Sequence, residues 1–272
     1  YRDAAARLGW QASPIPFSIN SVARDGRAAC VRCAQCIGHA CPVNAKNGTH
    51  NTFIPRALAT GNCDLLMSAQ AVAIEHDKRG TATGVRFVVD TEAGPVSRVV
   101  HASHVVVSAG AIETPRLLLV SALGNDWVGR NHHSHGFAAA YARSGTSPKE
   151  LVGPGHSVAS IDWVHRDGLA WGGGVLFDLP NDYPVQKAAF ARHLEGRRFG
   201  PEHKRWMREA PPTAGAMSMV QEIPHAATRI TADPKVKDRF GMPVARLAGQ
   251  PHPASEAAAE FMADRAVEWT TE

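Results

Sequence analysis

The clearest pattern of hydrophobic and polar positions lies in residues 103–124, which read SHVVVSAGAIETPRLLLVSALG. Residues 105–107 are consecutive valines, a β-branched run typical of a strand that is buried on both faces of a parallel sheet. Small residues follow and allow a tight turn. A buried helix is then predicted, with Thr114 as its N-cap, Pro115 at its first position and Gly124 just after its end. The exposed amides at the start of such a helix suit an anionic ligand such as a pyrophosphate, although a plain strand–helix unit without a ligand is the alternative.

Short strands dominate the rest of the pattern. Alternation and turn residues predict strands at 65–67, 71–75, 83–89 and 96–101 in the first half of the chain. A mostly antiparallel sheet is predicted after residue 132, from strands at 137–142, 158–164, 171–177, 216–223, 228–231 and 243–247. Helices are predicted near the N-terminus and at 52–60, 186–194, 202–208 and 255–270. This order predicts an α/β fold class, α+β overall.

Composition and charge exclude several classes of protein. The 272 residues are 44% hydrophobic and 20% charged, which is ordinary for a globular protein. The net charge of +4 is spread over interspersed residues, so nucleic-acid binding has little support, and no apolar run approaches the roughly 20 residues of a membrane span. Five cysteines, an odd number, argue against a disulfide scaffold and favour a reducing, cytoplasmic location. The chain begins at Tyr1 and stops inside a predicted helix, which favours a piece of a longer protein.

Four cysteines lie close together in the sequence. Cys30, Cys33, Cys36 and Cys41 are separated by two, two and four residues, and Pro42 follows the last of them. Thiolates at this spacing are typical of an iron–sulfur cluster, although the bacterial ferredoxin run has three residues before its last cysteine. A zinc site is also possible in principle, but the two Cys-x-x-Cys pairs of a zinc site are normally separated by a longer loop. The fifth cysteine, Cys63, is predicted to be a small core residue.

The helix motif carries a family resemblance. Its pattern resembles the second signature of the glucose–methanol–choline (GMC) flavoprotein oxidoreductases in the residues Gly110-Ala111-x-x-Thr114-Pro115-x-Leu117-Leu118-x-x-Ser121-x-Leu123-Gly124. One position departs from it, because Ala122 stands where the family usually has glycine. Residues 33–48 resemble the family's flavin-side loop, which is often cysteine-rich without holding metal, although some cytochrome-linked members carry an iron–sulfur cluster nearby. Residues 128–131, which read VGRN, resemble a further segment that packs near the flavin.

The resemblance implies a fold, a cofactor and a set of domains. FAD is the implied cofactor, and the implied fold is a GMC-type FAD-binding nucleotide domain with a mostly antiparallel substrate-side sheet. We therefore expect residues 1–131 to form part of the FAD-binding domain and residues 132–250 the substrate-binding domain. Residues 251–272 would start the return to the FAD domain.

The resemblance also implies four cofactor-binding residues. Val72 matches a valine whose backbone binds adenine, although a plain strand valine is the alternative. Ala109 and Gly110 match small residues that pass close to the dinucleotide, and Asn44 lies in the flavin-side loop. We expect no metal at His132, His133 and His135 or elsewhere, since these histidines lack the spacing of metal ligands.

The implied activity is oxidation of an alcohol, CH–OH, on a sugar-like or other polyol substrate, with an amino-sugar of an antibiotic pathway as a narrower possibility. In the family mechanism a histidine removes the hydroxyl proton while a hydride passes to the flavin N5. The family places its GxGxxG fingerprint before, and its catalytic histidine after, the residues present here, so we expect no catalytic residue in this chain and an inactive fragment. The electron acceptor is not implied. Three aromatic residues are candidates for stacking on a sugar, with core packing as the alternative for each: Trp163, Trp171 and Phe177.

Two other classes of function stay open at the level of sequence. One is an electron-transfer component with Cys30, Cys33, Cys36 and Cys41 as iron–sulfur ligands. The other is a non-catalytic remnant that only binds a partner.

Overall fold

The computed structural model describes residues 1–33, 36, 38–143, 154–165, 167–169, 172–179, 188, 199–209 and 212–272. The strands are β1 Ser13–Pro14, β2 Ala69–His76, β3 Ala82–Thr91, β4 Gly94–His101, β5 His135–Arg143, β6 Val158–Ser160, β7 Gly174–Asp178, β8 Thr213–Gln221, β9 Arg229–Lys237 and β10 Pro243–Ala248. The helices are α1 Arg2–Arg7, α2 Phe53–Ala59, α3 Gly110–Val120, α4 Gly200–Glu209 and α5 Pro253–Thr271, with a 3₁₀ turn at Thr49–Asn51.

The chain divides into two compact units. The first unit contains Tyr1–Cys63, His135–Gln221 and Pro253–Glu272, and the second contains Asp64–Ser134 and Glu222–His252. Both units combine stretches that are distant in sequence, so they do not follow the linear ranges predicted above. The assignment of those ranges to FAD and substrate binding stays a prediction.

The first unit is a five-stranded antiparallel sheet, in the order β1-β6-β7-β8-β5, with helix α5 packed on one face. The strand residues that face the helix are small or aliphatic, and they pack with Met262 and Trp269 of α5 in one buried cluster. Alanines on both sides allow sheet and helix to approach closely. The members of the sheet in this cluster are Ala138, Ala140, Val158, Leu176, Ala216 and Val220.

The second unit is built on a three-stranded antiparallel sheet, β2-β3-β4, and a separate β9–β10 hairpin. Helix α3 packs against β2 and against the hairpin. One small buried cluster of this unit consists of Ile74 from β2, Leu117 from α3 and Met242 from the turn of the hairpin.

The valine run at 105–107 does not form the predicted strand. These residues have no strand partner among the described residues, and Val106 is 87% exposed. A strand requires a neighbour to pair with its backbone, which a hydrophobic run cannot supply by itself. The predicted strand at 65–67 is also wrong, since Leu65, Leu66 and Met67 are exposed and lie in a loop.

The helix predicted after the valine run exists, but it begins at Gly110 rather than at Pro115. Pro115 lies inside α3, where its ring removes the hydrogen bond to the carbonyl of Ala111, an exposed residue of the first turn. Thr114 is therefore not the N-cap. Its hydroxyl oxygen instead accepts a hydrogen bond from the backbone N–H of Ala109 at 3.0 Å.

The other predicted elements have mixed outcomes. Strands within β2, β3, β4, β5, β8, β9 and β10, and helices α4 and α5, are confirmed, whereas the strand at 158–164 is limited to Val158–Ser160. The helix predicted at 186–194 and Trp171 lie outside the described residues, apart from residue 188, which is helical. Cys63 is exposed in a loop, so the prediction of a core residue is wrong.

Candidate functional site

The start of helix α3 is open at the surface. Gly110 has a φ of +84°, and a Cβ added at this position would meet no atom within 4 Å. Both Ala109 and Gly110 are exposed. The first amides of a helix have no partner within the helix, so this terminus can donate hydrogen bonds to an anionic group that approaches the glycine.

Strand β2 lies at the edge of its sheet and contains an irregularity at Val72. The register passes from Ala71 opposite Phe87 to Ala73 opposite Arg86, which leaves Val72 with no residue opposite it. An edge strand has no neighbouring strand on one side, and a bulge changes the direction of the backbone there. The backbone of Val72 therefore meets the requirement for binding a ligand such as adenine through its main chain.

A serine joins the end of α3 to β2. The hydroxyl of Ser121 donates to the carbonyl of Leu117 at 2.7 Å and accepts from the backbone N–H of Ile74 at 2.8 Å. Val72 packs against the cluster that Ile74 and Leu117 form. The structure thus places Val72 and the Ala109–Gly110 turn in one unit, on two elements that pack directly against each other.

Helix α3 is joined to the β9–β10 hairpin by one buried arginine. The side chain of Arg116 is only 9% exposed, and it contacts Asp238 at 2.6 Å and Glu113 at 2.9 Å. Its remaining hydrogens reach the backbone carbonyls of Pro243 at 2.7 Å and Met242 at 3.2 Å. The charge is therefore fully paired, as a buried guanidinium requires.

The same contacts shift the pKa of Asp238. Desolvation raises the pKa of this carboxyl group, but the hydrogen bond from Arg116 and those from the backbone N–H groups of Met242 and Phe240 outweigh it. The net pKa lies below the ordinary value, so the carboxylate stays ionised.

A cavity of about 420 Å³ lies at the other end of α3, beside β2 and the hairpin turn. Its polar wall contains the ion pair between Glu75 and Arg86, whose side-chain atoms are 2.7 Å apart. Val72 and Ser121 also line it, but Ala109 and Gly110 do not. It is therefore separate from the open helix start.

Asn44 belongs to the first unit, unlike the other three predicted cofactor residues. Its φ is +56°, and its side-chain oxygen accepts a hydrogen bond from Asn51 at 2.6 Å. Its backbone N–H donates to the carbonyl of Cys41 at 3.2 Å. These contacts hold a tight turn, and a role of Asn44 beside the flavin stays a prediction.

All five cysteines are free, and two of them have shifted pKa values. Backbone N–H groups, first that of Lys46, lower the pKa of Cys41, and the N–H of Ala45 lies 3.2 Å from its sulfur. Burial raises the pKa of Cys36. Among the described residues, no three or more histidine, cysteine or acidic side chains are placed to hold a metal ion.

The VGRN segment has a packing role that its glycine explains. The carbonyl of Gly129 accepts a hydrogen bond from the N–H of Ile230 at 2.7 Å, and a Cβ at Gly129 would lie 2.2 Å from the carbonyl oxygen of Ile230. The following histidines, His132 and His133, line a separate cavity of about 270 Å³. Glu222 also lines it and accepts a hydrogen bond from the N–H of Ser134 at 2.6 Å, a contact that the sequence did not indicate.

The aromatic residues considered for sugar stacking belong to the core where they are described. Trp163 is 3% exposed and meets the edge of Trp10, with ring centroids 4.6 Å apart. Phe177 is 5% exposed and packs against His156. Phe137 and Tyr141 of β5 are among the aromatic side chains that remain accessible, and the alternation along that strand could have indicated that they share one face.

Within the described part of the chain, no helix combines the length and the apolar character needed to cross a membrane.

Comparison with known proteins agrees with the family resemblance of the α3 motif. The sequence profile described as GMC oxidoreductase matches residues 1–137. The chain is 31% identical over 197 residues to 6'''-hydroxyparomomycin C oxidase of Streptomyces lividus, covering 66% of this chain and 36% of the relative. It is 29% identical over 285 residues to 2-methyl-1,2-propanediol dehydrogenase of Mycolicibacterium austroafricanum, covering 98% and 50%. It is 28% identical over 175 residues to the large subunit of fructose dehydrogenase of Gluconobacter japonicus, covering 64% and 28%. The chain thus spans half or less of the length of these relatives.

Proposed function

This chain belongs to the GMC oxidoreductase family, and we propose that the whole protein uses FAD to oxidise a CH–OH group of a sugar-like or other polyol substrate. The family is FAD-dependent, and its members related to this chain oxidise alcohol groups. Polyol substrates are supported by the names of three relatives, which are an oxidase of a hydroxyparomomycin, a propanediol dehydrogenase and a fructose dehydrogenase. An amino-sugar is the narrower form of this proposal.

The observation that carries the proposal is the open start of α3 within the family motif. The backbone of Ala109 and Gly110 would approach the dinucleotide, because nothing in this unit occupies the space where a side chain of Gly110 would lie. The backbone of Val72 would contact adenine, because this residue lies at an irregularity of the edge strand β2. When bound, FAD supplies the hydride acceptor, N5. We assign no catalytic residue to this chain.

The two units would have different roles. Elements of the second unit, which carry Val72, Ala109 and Gly110, would bind the dinucleotide, and the five-stranded sheet of the first unit would form the substrate side. Asn44, in the flavin-side loop of the first unit, is the fourth residue that we propose for cofactor binding.

A matched pair of glycine substitutions tests the site. Gly110 and Gly80 have nearly equal positive φ values, +84° and +81°, and a Cβ at either would meet nothing within 4 Å. Alanine at either position therefore costs a similar backbone strain, about 1 kcal/mol. In the whole protein, we expect Gly110→Ala to weaken FAD binding at least tenfold and Gly80→Ala to leave it unchanged, measured by flavin fluorescence on titration of the apoprotein. Equal FAD affinity in both variants would refute the site.

The absorbance spectrum of the whole protein separates the cofactor alternatives. A two-banded yellow spectrum with FAD released on precipitation supports the proposal. A broad brown absorbance accompanied by iron and sulfide would support the iron–sulfur alternative at Cys30, Cys33, Cys36 and Cys41. A colourless whole protein would contradict both.

We also propose a reducing, cytoplasmic location. Five free cysteines support it, two of them exposed. Mass spectrometric thiol mapping of the protein isolated under anaerobic conditions tests it, since a disulfide at any of these five cysteines would contradict it.

A further inference from the structure

The proposed cofactor residues of the second unit lie on two elements, and the side chain of Ser121 joins these elements. Val72 belongs to strand β2, whereas Ala109 and Gly110 belong to the start of helix α3. Ser121 directly follows α3, is 6% exposed, and lines the same cavity as Val72. Ser121 is thus placed to set the position of β2 relative to the helix.

The hydroxyl of Ser121 forms one hydrogen bond to each element. It donates to the carbonyl of Leu117 in α3 at 2.7 Å and accepts from the backbone N–H of Ile74 in β2 at 2.8 Å. Since the proton of the hydroxyl is directed to the helix, its oxygen is left as the acceptor for the strand. Because β2 is an edge strand of its sheet, the hydroxyl takes the place of a neighbouring strand at this point.

The backbone of Ser121 is held by the helix and by a histidine of β2. Its N–H donates to the carbonyl of Leu117 at 3.0 Å, and the ring Nε2 of His76 lies 3.0 Å from its carbonyl oxygen. A carbonyl oxygen only accepts, so His76 is the donor, through the tautomer that carries its proton on Nε2. Ser121 therefore contacts β2 twice, once at Ile74 and once at His76.

These contacts relate the two proposed parts of the cofactor site. Ile74 follows Val72 by two residues, a distance of about 7 Å along the strand. Helix α3 is 11 residues long, which corresponds to about 16 Å, and it carries Gly110 at the end opposite Ser121. Because a helix is stiff, the hydroxyl of Ser121 fixes the distance between the backbone of Val72 and the start of the helix.

We infer that Ser121 is a positioning residue for the adenine half of FAD, and that it acts through β2 without touching the cofactor. This inference rests on the proposed function, in which the backbone of Val72 contacts adenine and the helix start approaches the dinucleotide. A ligand that contacts two elements binds tightly only when these elements are already held at the correct separation. Without the hydroxyl, β2 would be free to shift, and affinity for the cofactor would be lost before the fold.

The test is the affinity of the whole apoprotein for FAD and for ADP, measured by titration calorimetry. We expect Ser121→Ala to weaken FAD binding about tenfold and ADP binding by the same factor, because ADP contains the adenine half without the flavin. Unfolding alone does not produce this change, since a variant that is about nine-tenths folded loses only about a tenth of its apparent affinity. Unchanged affinity for either ligand in a folded Ser121→Ala protein would overturn the inference.

Arg116→Ala is the matched control, because Arg116 joins the same helix to the β9–β10 hairpin rather than to β2. Ile74 and Ser121 line the cavity of about 420 Å³, from which a water molecule can replace the hydroxyl at the Ile74 N–H without being attached to α3. Ser121→Ala should therefore lower the urea midpoint less than Arg116→Ala does. FAD affinity should change in the opposite order, with less than about twofold loss in Arg116→Ala. An equal loss in the two variants would overturn the inference, since affinity would then follow the stability of the unit.

His76→Ala is a second variant that leaves the buried hydroxyl in place. His76 is exposed, so this variant keeps its fold, and loss of the contact with the Ser121 carbonyl should weaken FAD and ADP binding about threefold. Equal affinity of the natural protein and His76→Ala would overturn the inference even where Ser121→Ala does not fold. If the natural apoprotein binds no FAD, the proposed function itself fails. If it binds FAD and neither variant differs from it, only the positioning role fails.

Discussion

The two units of this chain are stabilised in different ways. The first unit buries a continuous apolar cluster between a five-stranded sheet and helix α5, in which Trp269 is 2% exposed and Met262 is fully buried. In the second unit the buried apolar cluster has three members, Ile74, Leu117 and Met242, and Val88 and Ile230 are buried apart from it. One paired arginine, Arg116, joins the helix of this unit to its hairpin. Burial of apolar surface thus stabilises the first unit. The second unit, which carries the proposed dinucleotide site, depends more on polar contacts.

The largest effect is expected from removing the central aromatic residue of the first unit. Trp269 meets the ring of Tyr1 at 5.3 Å between centroids, and its indole N–H donates to the backbone carbonyl of Tyr1 at 2.9 Å. Trp269→Ala should lower the free energy of unfolding by about 3–5 kcal/mol, because it opens a cavity and removes one of the two hydrogen bonds to that carbonyl, the other coming from the N–H of Ala5. Hydrogen exchange should accelerate in α5 and β8 and remain slow in α3. Equal acceleration in both units would contradict the comparison.

A smaller effect is expected from the charged contact of the second unit. Arg116→Ala should cost about 2 kcal/mol, below the range for fully buried pairs, because Asp238 is 24% exposed and solvent screens part of the interaction. Hydrogen exchange should then accelerate in α3 and in the hairpin. Arg86→Ala is the control, since its ion pair with Glu75 is half exposed and should contribute less than about 1 kcal/mol.

The ion pair between Arg116 and Asp238 should make the stability of the protein depend on pH. The pKa of Asp238 is lower in the folded protein than the unfolded value of about 3.9, so its stabilising effect is complete above that value and is lost as the pH falls through the folded pKa. Asp238→Asn should therefore destabilise the protein at neutral pH and become progressively less destabilising below about pH 4. A difference from the natural protein that is independent of pH would contradict this assignment.

The smallest effect concerns the one position where the sequence departs from the family motif. Ala122 has a φ of +53°, and its N–H donates to the carbonyl of Leu119 at 3.2 Å while the N–H of Leu123 donates to that of Leu118 at 3.0 Å. This is a Schellman ending of α3, in which glycine is favoured at the position of Ala122. Ala122→Gly should stabilise the protein by about 0.5–1 kcal/mol, since relief of strain exceeds the entropy gained by the unfolded chain. Gly124→Ala, which would place a Cβ 2.4 Å from Val128, should destabilise it. Destabilisation by Ala122→Gly in urea unfolding would refute this explanation.

Local patterns in the sequence predicted most of the elements correctly. Alternation predicted β3 and β5, and the helix motif predicted α3, because the polarity of each side chain and the positions of proline and glycine act over a few residues. The motif also identified the family, which the match to residues 1–137 confirms. The departure at Ala122 was visible in the sequence, but its backbone conformation was not.

Other features depended on partners that are distant in sequence. The valines at 105–107 have the composition of a buried strand, yet strand formation requires a neighbouring backbone. Tryptophan is a residue type that stacks on sugars, yet Trp163 is covered by Trp10. Alternation indicates that Phe137 and Tyr141 share one face of β5, but the packing of helix α5 decided that this is the exposed face.

The sequence by itself determined the family and the periodicity of most elements, because these properties reside in the type and spacing of nearby residues. Only the tertiary structure decided which aromatic side chains are covered, that Arg116 is paired with Asp238 across 122 residues, and that Asn44 lies in a different unit from Val72. Burial and ion pairing are properties of contacts, and in this chain the contacts join stretches that no local pattern relates.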